Sequence, residues 1–148
     1  MTKPWILPGV DLPEPLIPLE QTFEGFLDLD WLELTDELAR ARFTVRDELK
    51  QPLGLLHGGI YSAVAETLAS VATVAAVWKD GYVGSGLSNR ASFLRPVTSG
   101  TIEAVCRLRG ETEDRHWVWG TDFVDEDGRS CALVDVTVAV RPAPPPPD

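Results

Sequence analysis

Residues 53–76, LGLLHGGIYSAVAETLASVATVAA, constrain this chain more than any other stretch. They predict one long helix, apolar and small-residue throughout, entered through Gly58 and Gly59 and carrying a single carboxylate, Glu66. A helix that is hydrophobic all round must be wrapped by other structure. A lone acid inside it is costly unless it has a partner or a task.

At about 100° per residue, Gly58, Ser62, Glu66, Ser70 and Thr73 fall within one arc of roughly 120°. Ala65, Ala69, Ala72 and Ala76 lie among or beside them. Ile60, Tyr61, Val64, Leu68, Val71, Val74 and Trp78 take the opposite side, with Thr67 an exception among them. One face is therefore expected under a sheet, and the other, narrow and polar, is suited to a ligand or a second helix.

The 148 residues suffice for one domain with a substantial core. A net charge of -10 argues against nucleic acid and anionic membrane surfaces as partners. Residues 53–76 hold a His, a Glu and glycines, so no transmembrane segment is expected. The N-terminus MTKPWILPGVDLPEP lacks the apolar core of a signal peptide, and a cytoplasmic setting is expected. Cys106 and Cys131 then read as reduced core residues. With two histidines and no ligand spacing, no metal site is expected.

Residues 1–19 are proline-rich and expected to be irregular, followed by a short amphipathic helix within 19–29 that turns Phe23, Phe26 and Leu27 inward. These form an N-terminal extension, residues 1–30. Strands are predicted at 31–34 and 39–45, then at 82–93, 101–108, 116–125 and 132–140, the last four as a meander. Between them stand turn residues: Lys79, Asp80 and Gly81, then Pro96 to Gly100, Gly110 to Asp114, and Asp125 to Gly128. The tail, residues 142–148, is expected to be disordered. The layout is α+β, an antiparallel sheet of five or six strands curling around one long central helix.

At the helix start the first backbone N–H groups lack intrahelical partners, and the positive end of the dipole stands behind them. Gly58 and Gly59 would let an oxyanion or a polarised carbonyl approach those donors closely. The plain alternative is a tight turn. Glu66 is either an acid for chemistry or a core carboxyl held by Ser62 or Ser70. Eight residues separate Gly58 from Glu66, about 12 Å along the axis, whereas reacting groups must lie within about 3–3.5 Å of their target. If the two act on one carbonyl, they belong to different subunits.

Gln51, then His57-Gly58-Gly59, then Glu66-Thr67-Leu68-Ala69-Ser70 resembles the hot-dog-fold acyl-CoA thioesterases, in particular the branch of the phenylacetate-pathway and Arthrobacter-type 4-hydroxybenzoyl-CoA enzymes. Asn89 through Val97 followed by Gly100, and Arg115-His116 leading to the last strand, resemble the same family. The resemblance spans residues 35–141, and it implies a hot-dog thioesterase domain over 31–141. It implies Glu66 as nucleophile or general base, with the Gly58 amide polarising the thioester carbonyl. Gln51 would orient the thioester or the attacking water, and Ser70 the nucleophile or leaving thiol. His57 would support the loop or touch the thioester. Gly59, Asn89, Arg95, Arg115 and His116 are candidate substrate contacts, the arginines for CoA phosphates, though solvated strand-face charge is the alternative reading of these.

The expected activity is hydrolysis of an acyl-CoA, aromatic or medium-chain, with no cofactor beyond the CoA of the substrate. The expected assembly is a homodimer with shared active sites, as a dimer of dimers. A non-catalytic acyl-CoA or fatty-acid binding module of the same fold is the alternative, favoured if Glu66 is neutral and fully bonded in the core. A hot-dog hydratase is disfavoured, since the paired Asp and His of such enzymes are absent.

Overall fold

The structure, a computed structural model, describes residues 6–146. Of the two proline-rich ends, 1–5 and 147–148 lie outside the described residues, and 6–18 form no helix or strand. After a single 3-10 turn comes helix α1, Phe23–Leu27. Thr22 caps it by accepting from the Gly25 N–H at 3.2 Å, and Asp28 ends it in the left-handed region. Arg46 pins the helix end through the carbonyls of Phe26 and Leu27. Leu27 is buried as expected, but Phe23 and Phe26 face outward. Five helical residues can turn only one of these side chains onto the core, and the two phenylalanines stack on each other instead, at 6.2 Å.

The strands are β1 (Asp30–Leu34), β2 (Leu38–Thr44), β3 (Tyr82–Phe93), β4 (Thr101–Glu111), β5 (His116–Val124) and β6 (Ser130–Pro142), all antiparallel in one sheet of order β1-β2-β4-β5-β6-β3. Alternation explains the β2 register: Ala39, Ala41 and Phe43 are buried while Arg42 and Thr44 are exposed. The anticipated four-strand meander holds only for β4, β5 and β6. β3 lies at the far edge beside β6, because the chain leaves the helix on the opposite side of the sheet from β2. β6 also reaches Pro142, which pairs with Tyr82. That extends the sheet into the proline run expected to be disordered.

Helix α2, Gly58–Val77, lies against the sheet, chiefly on β3 and β6, and ends in a 3-10 turn closed by Gly81 at φ 84. It begins five residues later than the apolar run suggests, since residues 53–57 form a loop. Together with that last turn it spans 23 residues at a mean hydropathy of 1.6, long and apolar enough to cross a bilayer, contrary to the sequence expectation. It is placed here as the packed core helix, with Tyr61, Val64, Ala65, Leu68, Ala69 and Ala72 buried. Thr73 leaves the expected polar arc: it is buried, donates to the Ala69 carbonyl at 2.7 Å and accepts from Trp119 Nε1–H at 3.0 Å. Cys106 and Cys131 are both buried and free.

Candidate active site

The loop before α2 is tied down on both sides. The His57 N–H donates to the Leu49 carbonyl at 2.9 Å, the Gln51 N–H to the Leu55 carbonyl at 2.8 Å, and the Leu56 N–H to the Val97 carbonyl at 2.8 Å. His57 is the N-cap: its Nδ1 accepts from the Gly59 N–H at 2.8 Å, and its carbonyl accepts from Ile60 at 3.0 Å. His57 Nδ1 therefore serves as the acceptor that caps the helix start. With Gly59 and Ile60 satisfied, the Gly58 N–H is left without a partner among the described residues.

Gly58 opens onto a cleft of ≈ 390 Å³ that Gln51, Tyr61, Phe93, Arg95 and Val97 also line. The Phe93 ring lies directly over the glycine, and a Cβ there would stand 2.7 Å from Phe93 Cζ. Gln51 Oε1 accepts from the Leu53 N–H, and the side-chain NH₂ has no partner among the described residues. Tyr61 is missing from the residues expected here. The helical arc placed it with the packing residues, and so it is, at ring-centroid distances of 6.1 Å from Phe93 and 5.0 Å from Phe123. Its hydroxyl has no hydrogen-bond partner among the described residues, and burial pushes its pKa up to about 12, so it stays a proton donor at neutral pH.

Glu66 is elsewhere and is not buried. It is exposed on the chain, has no partner among the described residues, and borders a second pocket of ≈ 190 Å³ with Gly86, Leu87 and Asn89. The reason is local. β3 is an edge strand, so among the described residues no further strand covers the helix face beside it. A Cβ on Gly86 would lie 3.7 Å from Glu66 Oε1. Asn89 donates to the Ser62 carbonyl at 2.9 Å, one turn before Glu66. Ser70 is half-buried one turn after it, and Gly59 is exposed at the first turn.

One chain therefore brings Gln51, Gly58 and Arg95 together, and separately Glu66 and Asn89, but does not join the two groups. Arg115 and His116 line neither pocket and lie at the β4–β5 hairpin. Arg115 stacks over the Tyr82 ring at 4.5 Å, and His116 is closed into the turn through Thr112.

The chain matches the thioesterase superfamily over residues 53–132. It is 34% identical over 121 residues to 1,4-dihydroxy-2-naphthoyl-CoA hydrolase of Escherichia coli K12, covering 82% of this chain and 88% of that one. The chain belongs to the thioesterase superfamily. A further relative is the proofreading thioesterase EntH of Cronobacter turicensis, 34% identical over 122 residues, covering 80% of this chain and 85% of that one. Among solved structures, a mutant thioesterase from Pseudomonas aeruginosa superposes with a TM-score of 0.77 at 30% identity, covering 83% of this chain and 88% of that one. The six-stranded antiparallel sheet around one long helix is the hot-dog fold of this superfamily, and the enzyme is a thioester hydrolase.

Proposed function

We propose that this enzyme hydrolyses an acyl-CoA to the free acid and CoA, in sites shared between two copies of the chain. The observation that carries the reading is the free Gly58 N–H in an apolar cleft at one point of α2, with the unpartnered Glu66 carboxylate about 12 Å further along the same helix. Neither half is a complete site.

The pairing edge supports an antiparallel arrangement of two copies. The β1 edge is short, interrupted by a bulge between Trp31 and Glu33, and laced by Arg42–Asp30 and Arg40–Glu33 ion pairs. The β3 edge runs 12 residues, and every side chain from Ser85 to Arg90 is exposed. A long open edge of this kind is a template for another strand. A second β3 would bring the other subunit's helix face alongside, with its Glu66 facing the Gly58 cleft.

In the resulting site the Gly58 N–H donates to the thioester carbonyl oxygen, backed by the helix dipole. The carboxylate of Glu66 either attacks the carbonyl carbon or takes a proton from the attacking water, and the thiolate of CoA leaves. The Gln51 NH₂ orients the thioester or the water, Ser70 the nucleophile or the leaving thiol, and His57 fixes the loop. Arg95 lines the cleft with no ion pair among the described residues, and suits a phosphate or carboxylate. The motifs favour the phenylacetate-pathway and Arthrobacter-type branch. A dimer of dimers, a cytoplasmic setting and no resident cofactor complete the proposal.

The binding-module alternative is favoured by a Glu66 neutral and fully bonded inside the core, and in the chain Glu66 is exposed. The deciding experiment is turnover against a panel of aromatic and aliphatic acyl-CoAs, with hydrolysis of at least one expected. Tight binding of acyl-CoA without turnover across the panel would replace this reading with the binding module.

A further inference from the structure

We propose that Glu126, in the turn between β5 and β6, is a positioning residue for the hydrolysis. It clamps the segment that grips the loop before α2, and so sets where the Gly58 N–H points. This rests on the thioesterase reading above and goes beyond it.

Five consecutive residues, Phe93 to Val97, form one side of the Gly58 cleft. Four of them belong to the segment 94–100, which carries the chain from the edge strand β3 to β4 inside the sheet. Val97 is the point of contact with the helix start: its carbonyl accepts from the Leu56 N–H at 2.8 Å, and the next residue is the N-cap His57. A shift of this segment therefore moves Leu56, His57 and Gly58 with it. At its near end the segment is held through backbone groups, the Leu94 and Arg95 N–H both donating to the Cys131 carbonyl at 2.9 and 3.2 Å. At its far end the hold is a side chain. Glu126 Oε1 accepts from both the N–H and the hydroxyl of Thr101, each at 3.0 Å.

The surroundings of Glu126 are shaped for this contact. Gly100 stands at φ 89, and a Cβ there would lie 3.2 Å from Glu126 Cδ, so glycine serves both the turn and the approach of the carboxylate. The base of the clamp is firm as well. Asp125 Oδ1 accepts from the Asp127 and Arg129 N–H groups at 3.0 Å each, and the Asp125 N–H donates to the Arg129 carbonyl at 3.0 Å. Holding a glutamate in one rotamer costs side-chain entropy, which two donors to one charged oxygen offset. The line of contacts runs from this turn through Glu126, Thr101, Val97 and Leu56 to Gly58. Glu126 does not line the cleft, so its effect on the reaction passes through the aim of the oxyanion donor.

The test is Glu126→Ala and Glu126→Gln in the full-length enzyme, measured well below the melting midpoint on the best acyl-CoA substrate, with amide hydrogen exchange followed at Leu56. Glu126→Ala should lower kcat by about tenfold or more, with a smaller change in KM. Exchange at the Leu56 N–H should quicken several-fold while the β5–β6 ladder keeps its wild-type rate. Glutamine keeps the acceptor oxygen and should recover most of both losses. Should Glu126→Ala fail to fold, Thr101→Val, which removes the hydroxyl donor alone, is read in the same way. A wild-type kcat in the Ala variant, or a fall in kcat with Leu56 exchange unchanged, would overturn the proposal and leave the thioesterase reading standing. So would a Gln variant as impaired as the Ala one. A wild-type enzyme inactive on every acyl-CoA would sink the thioesterase reading itself and this proposal with it.

Discussion

Asn89 of β3 donates its side-chain amide to the Ser62 carbonyl at 2.9 Å, and so ties the open edge strand to α2 one turn ahead of Glu66. The strand reaches this register through a bulge at Leu87, between the Gly86–Val138 and Ser88–Thr137 pairs. Before the bulge Gly84 and Gly86 face the helix, and after it Asn89 and Phe93 do, because one extra residue flips the alternation. Asn89→Ala should cost about 0.5–1.5 kcal/mol, a fall of a few degrees in Tm. It should lower kcat more than it raises KM. A rise in KM alone would make Asn89 a substrate contact instead.

The close approach of Phe93 to Gly58 gives a second expectation. Alanine at position 58 keeps the N–H but pushes its Cβ against the ring, 2.7 Å from Cζ and 3.0 Å from Cε1. The ring is exposed enough to yield, so folding should survive while the cleft is misshapen. Gly58→Ala should reduce kcat/KM by about 10²-fold, comparable to losing one oxyanion donor. Adding Phe93→Leu should recover part of it. No recovery would show that the backbone, not the ring, is what alanine disturbs.

The apolar helix and the alternating strands were legible because periodicity is a local signal, and β2 follows it closely. What the residues could not convey was the sheet order. Placing β3 beside β6 rather than β4 depends on contacts between distant segments. That one fact exposes Glu66, which a single helical wheel reads as an acid enclosed by small residues. The wheel likewise counted Tyr61 as packing, and its orphaned hydroxyl is visible only once Phe123 and Phe93 are known to enclose the ring. Thr73 left the polar arc for the same kind of reason, since its partner Trp119 comes from β5.

Thr73 offers a test of core polarity. Its hydroxyl accepts the indole N–H of Trp119, and both side chains are fully buried. Thr73→Val preserves shape but strands that N–H without a partner, at a cost of about 1–3 kcal/mol. Tm should drop by several degrees, with kcat nearly unchanged because the pair lies away from the Gly58 cleft. An unaltered Tm would mean that the indole finds another acceptor.

Asp125 sets a pH dependence. The Arg129 N–H, followed by the Arg129 guanidinium and the Asp127 N–H, holds its carboxyl below the usual carboxylate range. A depressed folded pKa contributes stability above the unfolded value near 3.8, which is lost as the pH falls through the folded one. Asp125→Asn should therefore melt below wild type at neutral pH, and the gap should close on acidification below about pH 4. Tm measured across pH decides it, and a gap that stays constant with pH would assign the effect to the turn's shape rather than to charge.

The shared site yields the most demanding expectation. Glu66→Gln should lower kcat by about 10²–10⁴-fold without changing Tm, since the carboxylate is exposed and unpartnered in the chain. Gly58→Pro removes the donor that Glu66 is to act beside, and should be inactive as well. If the two groups meet only across two chains, refolding these inactive variants together forms mixed dimers in which one of the two sites pairs an intact Gly58 with an intact Glu66. Activity should then return to about a quarter of wild type, because random pairing makes half the dimers mixed and each carries one intact site. The result requires circular dichroism to show that both variants fold, and mass spectrometry to show that they exchange. Folded, exchanging chains with no regained activity would place the donor and the carboxylate in a single subunit and dissolve the shared site.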